Sequence, residues 1–340
     1  MKQGQSRIHY IDALRGTTMF LVVVGHVLVF SLHLDNELLA KVRMPTFFFI
    51  SGYIAYKAIE LWDVEFYWQR LSNKALVQLV PTAFFFACYF AMLGQNPLTE
   101  FLAHGSGKFW FTVTLFQCFA CYFTLSLLAR YTRRWVMPVG MAVIGLGAFV
   151  YTTMTFDEYP KYVFVYTRSE FYYFLFFVVG VVCRKHNTRF MSMLDNGRVV
   201  APVLIIFMAL VIYGFGTCPY TPRYAVLKML LSFSLSLTGV LVLFALFRSK
   251  SEFFDSDHWL ARTLSFIGRH TLDIYLLHYF FLPETLWLRP YFVQHKMFVL
   301  EFGYATAVAA AVVALCLVVS AVIRLSGALA HVLLGVKKEH

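Results

Sequence analysis

The stretch I-D-A-L-R-G-T-T-M-F-L-V-V-V-G-H, residues 11–26, decides how this chain is read. Its apolar residues run at the density of a membrane helix, yet Asp12, Arg15 and His26 interrupt them. Ionisable groups inside a span are costly, so each needs a reason to be there. Asp12 and Arg15 are three residues apart and can pair on one helical face. Arg15 and His26 are eleven apart, three turns of about 3.6 residues, so they share a face with roughly 16 Å between them. A guanidinium near one end and an imidazole deep in the bundle then lie on one line. Together they favour a polar pathway or site over a snorkelling arginine and a packing histidine. Lys2 and Arg7 ahead of the apolar core imitate a signal peptide, but the internal charges and the spans that follow make this a retained helix.

The rest of the chain has the same character. Of 340 residues, 60% belong to the set AVILMFWYC and 14% are charged, against roughly 45–50% and about 25% in soluble globular chains. A soluble fold of this length lacks the interior to hide so much apolar surface. Disordered, collagen-like and disulfide-scaffold classes fail on the same figures. The expected class is all-α: a polytopic membrane bundle of about ten transmembrane helices. A span needs about 20 residues, and stretches of that order lie near 10–33, 42–60, 75–95, 109–128, 135–154, 166–184, 199–217, 224–247, 264–288 and 298–333. The last is longer than one crossing requires, so it tilts or its end lies along the surface. Lys and Arg number 19 in the termini and even-numbered loops against 9 in the odd-numbered loops, which puts both termini in the cytoplasm. The net charge of +11 follows this membrane pattern and does not point to nucleic acid. Loops are short, and no repeat or separate soluble domain is visible, so residues 1–340 read as a single integral-membrane domain.

Further polar groups stand out against this background. Arg43 precedes Pro45, which suits a helix start, and Ser51-Gly52 allows close helix approach. Lys108-Phe109-Trp110 has the look of an interfacial anchor. The preceding G-S-G-K lacks the first glycine and the Ser/Thr of a phosphate-binding loop. Glu170 heads an aromatic run. In the ninth span Tyr275 and His278 are three apart and share a face. No histidine spacing suggests a metal, and none is expected. The six cysteines, the C-x-x-C of Cys118 and Cys121 included, read as buried apolar residues. The ladder Gly303, Ala307, Ala311 reads as a helix-packing seam.

Taken as a set, these motifs resemble the acyltransferase-3 family of integral-membrane acyltransferases, over essentially the whole chain. The elements that carry the resemblance are Arg15 and His26 within D-A-L-R-G onward, R-M-P-T-F-F-F-I-S-G-Y at 43–53, F-W-F at 109–111 and G-R-H-T-L-D-I-Y-L-L-H at 268–278. The resemblance implies a ten-helix domain that takes an acyl group, usually acetyl, from acyl-CoA to a carbohydrate hydroxyl. The implied home is a bacterial inner membrane. Partners are the bilayer, the acyl-CoA donor, a cell-surface or periplasmic carbohydrate acceptor and polysaccharide-biosynthesis proteins. Without a fused extracytoplasmic domain, the chain resembles the stand-alone members.

That chemistry suits the residues. Acyl transfer needs a base or a nucleophile, and imidazole can be either near neutral pH. His26 is the candidate, with Asp12 orienting Arg15. Arg15 suits the CoA phosphates because its planar fork stays protonated and makes paired bonds, and Arg43 is a second donor-binding cation. Trp110, Glu170, Tyr275 and His278 are candidates for acceptor binding or a proton path. The rival reading is a transporter or flippase in which the same buried groups line a pathway without covalent chemistry.

Overall fold

The structure is a computed structural model that describes residues 8–27, 33–154, 171–214, 225–284, 288–295 and 298–336. These residues form helices and, among those described, no strand. Hydrocarbon offers no partner to backbone N–H and C=O groups, and a helix satisfies them within one segment. In chain order the α-helices are α1 (His9–Val27), α2 (His33–Ala55), α3 (Val64–Met92), α4 (Pro97–His104), α5 (Trp110–Tyr131), α6 (Val136–Met154), α7 (Phe174–Lys185) and α8 (Asn187–Asp195). There follow α9 (Gly197–Gly214), α10 (Ala225–Ser249), α11 (Ser251–Asp255), α12 (Trp259–Arg269), α13 (Thr271–Phe281), α14 (Arg289–His295), α15 (Phe298–Arg324) and α16 (Gly327–Leu334).

Among the described residues, five helical segments are long and apolar enough to cross a membrane: Val64–Met92, Gly107–Tyr131, Val136–Thr153, Val226–Ser249 and Val299–Arg324. Asn187–Asp195 and Gly197–Ile212, bent by 77° at Asn196, make a sixth if they count as one span. The chain is a multi-pass integral membrane protein. Large apolar side chains such as Ile205, Ile212, Val318 and Val322 are exposed on these helices, as lipid-facing residues must be. Helix α1 matches the first expected span but carries His9, Asp12, Arg15 and His26 and is not among the five.

Three local expectations are corrected. Pro45 does not start its helix: α2 begins at His33 and carries Pro45 inside it, with the Thr46 hydroxyl donating to the Val42 carbonyl at 2.7 Å beside the interruption. The stretch 264–288 is not one helix, because α12 ends at Arg269 and α13 starts at Thr271, with His270 between them at φ −109°, ψ 20°. Gly303, Ala307 and Ala311 are exposed. The buried row of the same helix is Ala305, Ala309, Val312 and Cys316. An alanine-rich helix carries several i, i+4 rows of small residues, and spacing alone does not choose among them. The expected end of the last span also divides, with α15 stopping at Arg324 and α16 starting at Gly327.

The chain clusters into two compact units. The first is formed by Met1–Ile50, His186–Cys218 and Leu230–Leu317. Within it α1 packs on α12 backbone against backbone: a Cβ at Gly16 would overlap the Leu264 carbonyl, and one at Gly268 would overlap the Asp12 carbonyl. Tyr10, Phe49, Phe190 and Phe244 form an aromatic cluster whose centroids lie 5.5–6.1 Å apart for the touching pairs. The second unit is Ser51–Lys185, Pro219–Met229 and Val318–His340. There α3 packs on α5, with the Thr82 and Thr112 hydroxyls 2.7 Å apart. Gly52 meets the Phe177 carbonyl where a Cβ would not fit, as Ser51-Gly52 suggests.

Candidate active site

The first unit brings His26 together with two side chains of α13. The Tyr279 hydroxyl lies 3.3 Å from His26 Nε2. The His26 ring is 5.1 Å from that of His278 and 5.2 Å from that of Tyr279, centroid to centroid. His278 is fully buried, and its Nδ1 lies 3.1 Å from the Ile274 carbonyl. A carbonyl oxygen can only accept, so neutral His278 carries its proton on Nδ1 and is basic at Nε2. Tyr275, also buried, has its ring 5.9 Å from His278, on the shared face that the three-residue spacing sets. The result is a cluster of two imidazoles and two phenols on two helices whose remaining residues are mainly apolar. Such a cluster can accept, hold and pass a proton.

Arg43 enters from α2. Its guanidinium is buried against α1, where Nη1 donates to the Leu21 carbonyl at 3.1 Å. It occupies the space that a Cβ on residue 25 would need, so Gly25 is what admits it, one residue from His26. Arg15 lies on the same continuous helix as His26, and its Nη2 donates to the Thr271 hydroxyl at 2.9 Å, at the first residue of α13. Asp12 is half-buried in the first turn of α1, at the contact with Gly268. A guanidinium in the second turn of α1 and an imidazole in its last turn, each touching α13, are thus joined by two helices.

Trp110 belongs to the second unit. It starts α5 and stacks on Tyr173, with centroids 5.6 Å apart and planes at 19°. Just before it, Gly107 has φ +47° and Lys108 donates to the Tyr89 hydroxyl at 2.7 Å, so the lysine is held by a phenol. Glu170 and Cys218 lie outside the described residues. The other five cysteines are free thiols. Among the described residues, no group of three His, Cys, Asp or Glu side chains comes together.

Two residues of the site, Tyr279 and the Arg15 partner Thr271, escape sequence reasoning. Tyr279 follows His278, and consecutive helical residues point about 100° apart, which argues against both meeting one partner. They do so because His26 sits opposite the edge between them. Thr271 carries no charge and gives no signal of its own. Asp273, buried at 2% exposure in the first turn of α13, could have been picked out as an acid in an apolar run.

A helical membrane protein with a buried cluster of histidine, tyrosine and arginine is the class that this geometry defines. The chain belongs to the acyltransferase-3 family, an acyltransferase domain that matches residues 8–321. It is therefore a membrane acyltransferase. No curated protein and no solved structure matches it.

Proposed function

We propose that the chain transfers an acyl group, acetyl first among the candidates, from acyl-CoA to a hydroxyl of a cell-surface or periplasmic carbohydrate. The observation that carries this reading is His26, hydrogen-bonded to Tyr279 and touching His278, on the helix that also bears Arg15. In the direct route His26 takes the proton of the acceptor hydroxyl as its oxygen bonds to the thioester carbonyl carbon. The carbon–sulfur bond then breaks, and CoA leaves as a thiol with that proton. In the two-step route a ring nitrogen of His26 bonds to the thioester carbonyl carbon, the carbon–sulfur bond breaks and CoA leaves as a thiol with the imidazole's proton; the acceptor oxygen then bonds to that carbon, the carbon–nitrogen bond breaks and the acceptor's proton returns to the ring. Arg43, beside Gly25, supplies positive charge for the thioester end of the donor, where the carbonyl oxygen becomes anionic. Arg15 holds CoA phosphate and Asp12 orients it. Tyr275 and His278 extend the proton path, and Trp110 and Glu170 serve the acceptor. Residues 1–340 act as one integral-membrane domain of ten spans with both termini cytoplasmic, in a bacterial inner membrane. Polysaccharide-biosynthesis proteins are its natural partners.

The test uses purified protein in nanodiscs, acetyl-CoA, a thiol-detecting reagent and a crude glycan fraction from the host. Wild type is expected to release CoA faster when glycan is present, and His26→Ala to lose at least a hundredfold of that rate while still inserting. Absence of release from folded wild type with any acyl-CoA would overturn the reading.

A further inference from the structure

Thr271 is the first residue of α13 and is buried, 7% exposed, with its hydroxyl accepting from Arg15 Nη2 at 2.9 Å. A threonine at a helix start ordinarily caps the helix. Here the cap position belongs to His270, which makes no cap bond from its side chain, and the Thr271 oxygen is turned to the guanidinium instead. The other common course for a hydroxyl in an apolar helix is to donate to the carbonyl four residues earlier. Thr18 does so to Leu14 at 2.6 Å and Thr46 to Val42 at 2.7 Å. For Thr271 that carbonyl is Ile267, which accepts from the His270 N–H at 3.0 Å. Among the described residues, Arg15 is the one hydrogen-bond partner of the Thr271 hydroxyl.

The main chains on either side of this bond meet closely. Gly16, the residue after Arg15, sits where a Cβ would overlap the Leu264 carbonyl. Gly268, three residues before Thr271, sits where one would overlap the Asp12 carbonyl. Main-chain packing, rather than the reach of a long side chain, therefore brings the hydroxyl to α1. A guanidinium turns about its last side-chain bonds until a partner stops it, and a ligand that must stop it loses affinity for doing so. A hydroxyl holds one N–H of the planar fork without bringing a negative charge of its own beside it.

We infer that Thr271 is a positioning residue for the acyl-CoA donor, holding the Arg15 guanidinium in the orientation that receives a CoA phosphate. The inference rests on the proposed role of Arg15 and assigns an uncharged side chain to donor affinity rather than to the chemical step. Helix α13 then serves both ends of α1, with Thr271 at the guanidinium and Tyr279 at the imidazole. The two lie eight residues apart, about 12 Å along one helix.

Equilibrium binding of CoA to the full chain in phosphatidylcholine nanodiscs reads donor affinity without turnover, and the thiol assay separates KM from kcat. Thr271→Val removes the oxygen and keeps the shape. It is expected to weaken CoA binding about tenfold and to raise the KM for acetyl-CoA in step, with kcat at saturating donor unchanged. Thr271→Ser returns the oxygen and should bind CoA within about twofold of wild type. Serine as weak as valine would make Thr271 a packing residue and overturn the inference. Thr271→Ala, which also lacks the oxygen, gives the same reading if the valine variant fails to fold. Combined with Arg15→Gln, Thr271→Val should cost nothing further, and an additive loss would likewise overturn the inference. If Arg15→Gln weakens CoA binding while Thr271→Val matches wild type, the inference falls and the role of Arg15 stands. If Arg15→Gln binds as wild type does, or wild type binds no CoA, the donor role of Arg15 falls and the inference with it.

Discussion

Tyr279 differs from phenylalanine by one oxygen, and that oxygen meets His26 Nε2. A neutral hydrogen bond of this kind contributes about 0.5–1.5 kcal/mol net, and more where water is excluded. Tyr279→Phe keeps the ring contacts with His26 and His278 and removes only the hydroxyl. The expected result is a kcat about tenfold lower with the KM for acetyl-CoA unchanged, read in the thiol assay. A kcat equal to wild type would make Tyr279 a packing residue. Arg15 and His26 were legible because charge in an apolar run is conspicuous and an eleven-residue spacing fixes their common face. Tyr279 and Thr271 were not, since a phenol or a hydroxyl among 20 tyrosines and many threonines gains meaning only when a partner helix is placed beside it.

Helix α1 is held to α12 by the absence of two side chains. Where Gly16 and Gly268 face each other's backbone, an added methyl meets a carbonyl rather than a flexible side chain. Overpacking that cannot relax costs about 1–3 kcal/mol. Gly268→Ala is therefore expected to lower the thermal unfolding temperature in detergent by several degrees and to reduce activity in step. An unchanged transition would mean that the helices have room to part. The same contact explains a miss at this level. Gly268 lies in the stretch 264–288 that reads as one span, but the helix ends one residue after it. Its last turn and the first turn of α13 diverge at His270, a residue of no strong breaking tendency. Pro45 shows the converse, a strong start signal overridden by residues on its N-terminal side that continue the helix.

Hydropathy gives the class of the whole molecule because it sums over hundreds of residues. It does not give the assembly: each compact unit gathers three separated segments, and which segments meet is set by pairwise packing that a one-dimensional profile does not contain. The charge asymmetry of 19 to 9 makes a prediction at this scale. A fluorescent protein fused after His340 is expected to fold and fluoresce, while an alkaline phosphatase fused there stays inactive. The reverse pattern would put the C-terminus outside and require an odd number of crossings or an inverted chain.

The seat of Arg43 against Gly25 also bears on how sequences of this kind can change over time. The guanidinium fills the volume that a larger residue at 25 would claim, so such a residue must displace the far end of the Arg43 side chain from this seat, whereas Arg43 can shorten with Gly25 kept. In an alignment of relatives the two columns should covary. Alanine or serine in the place of Gly25 should accompany something shorter than arginine in the place of Arg43, or an arginine turned out of this seat, and lineages that keep the arginine here should favour glycine.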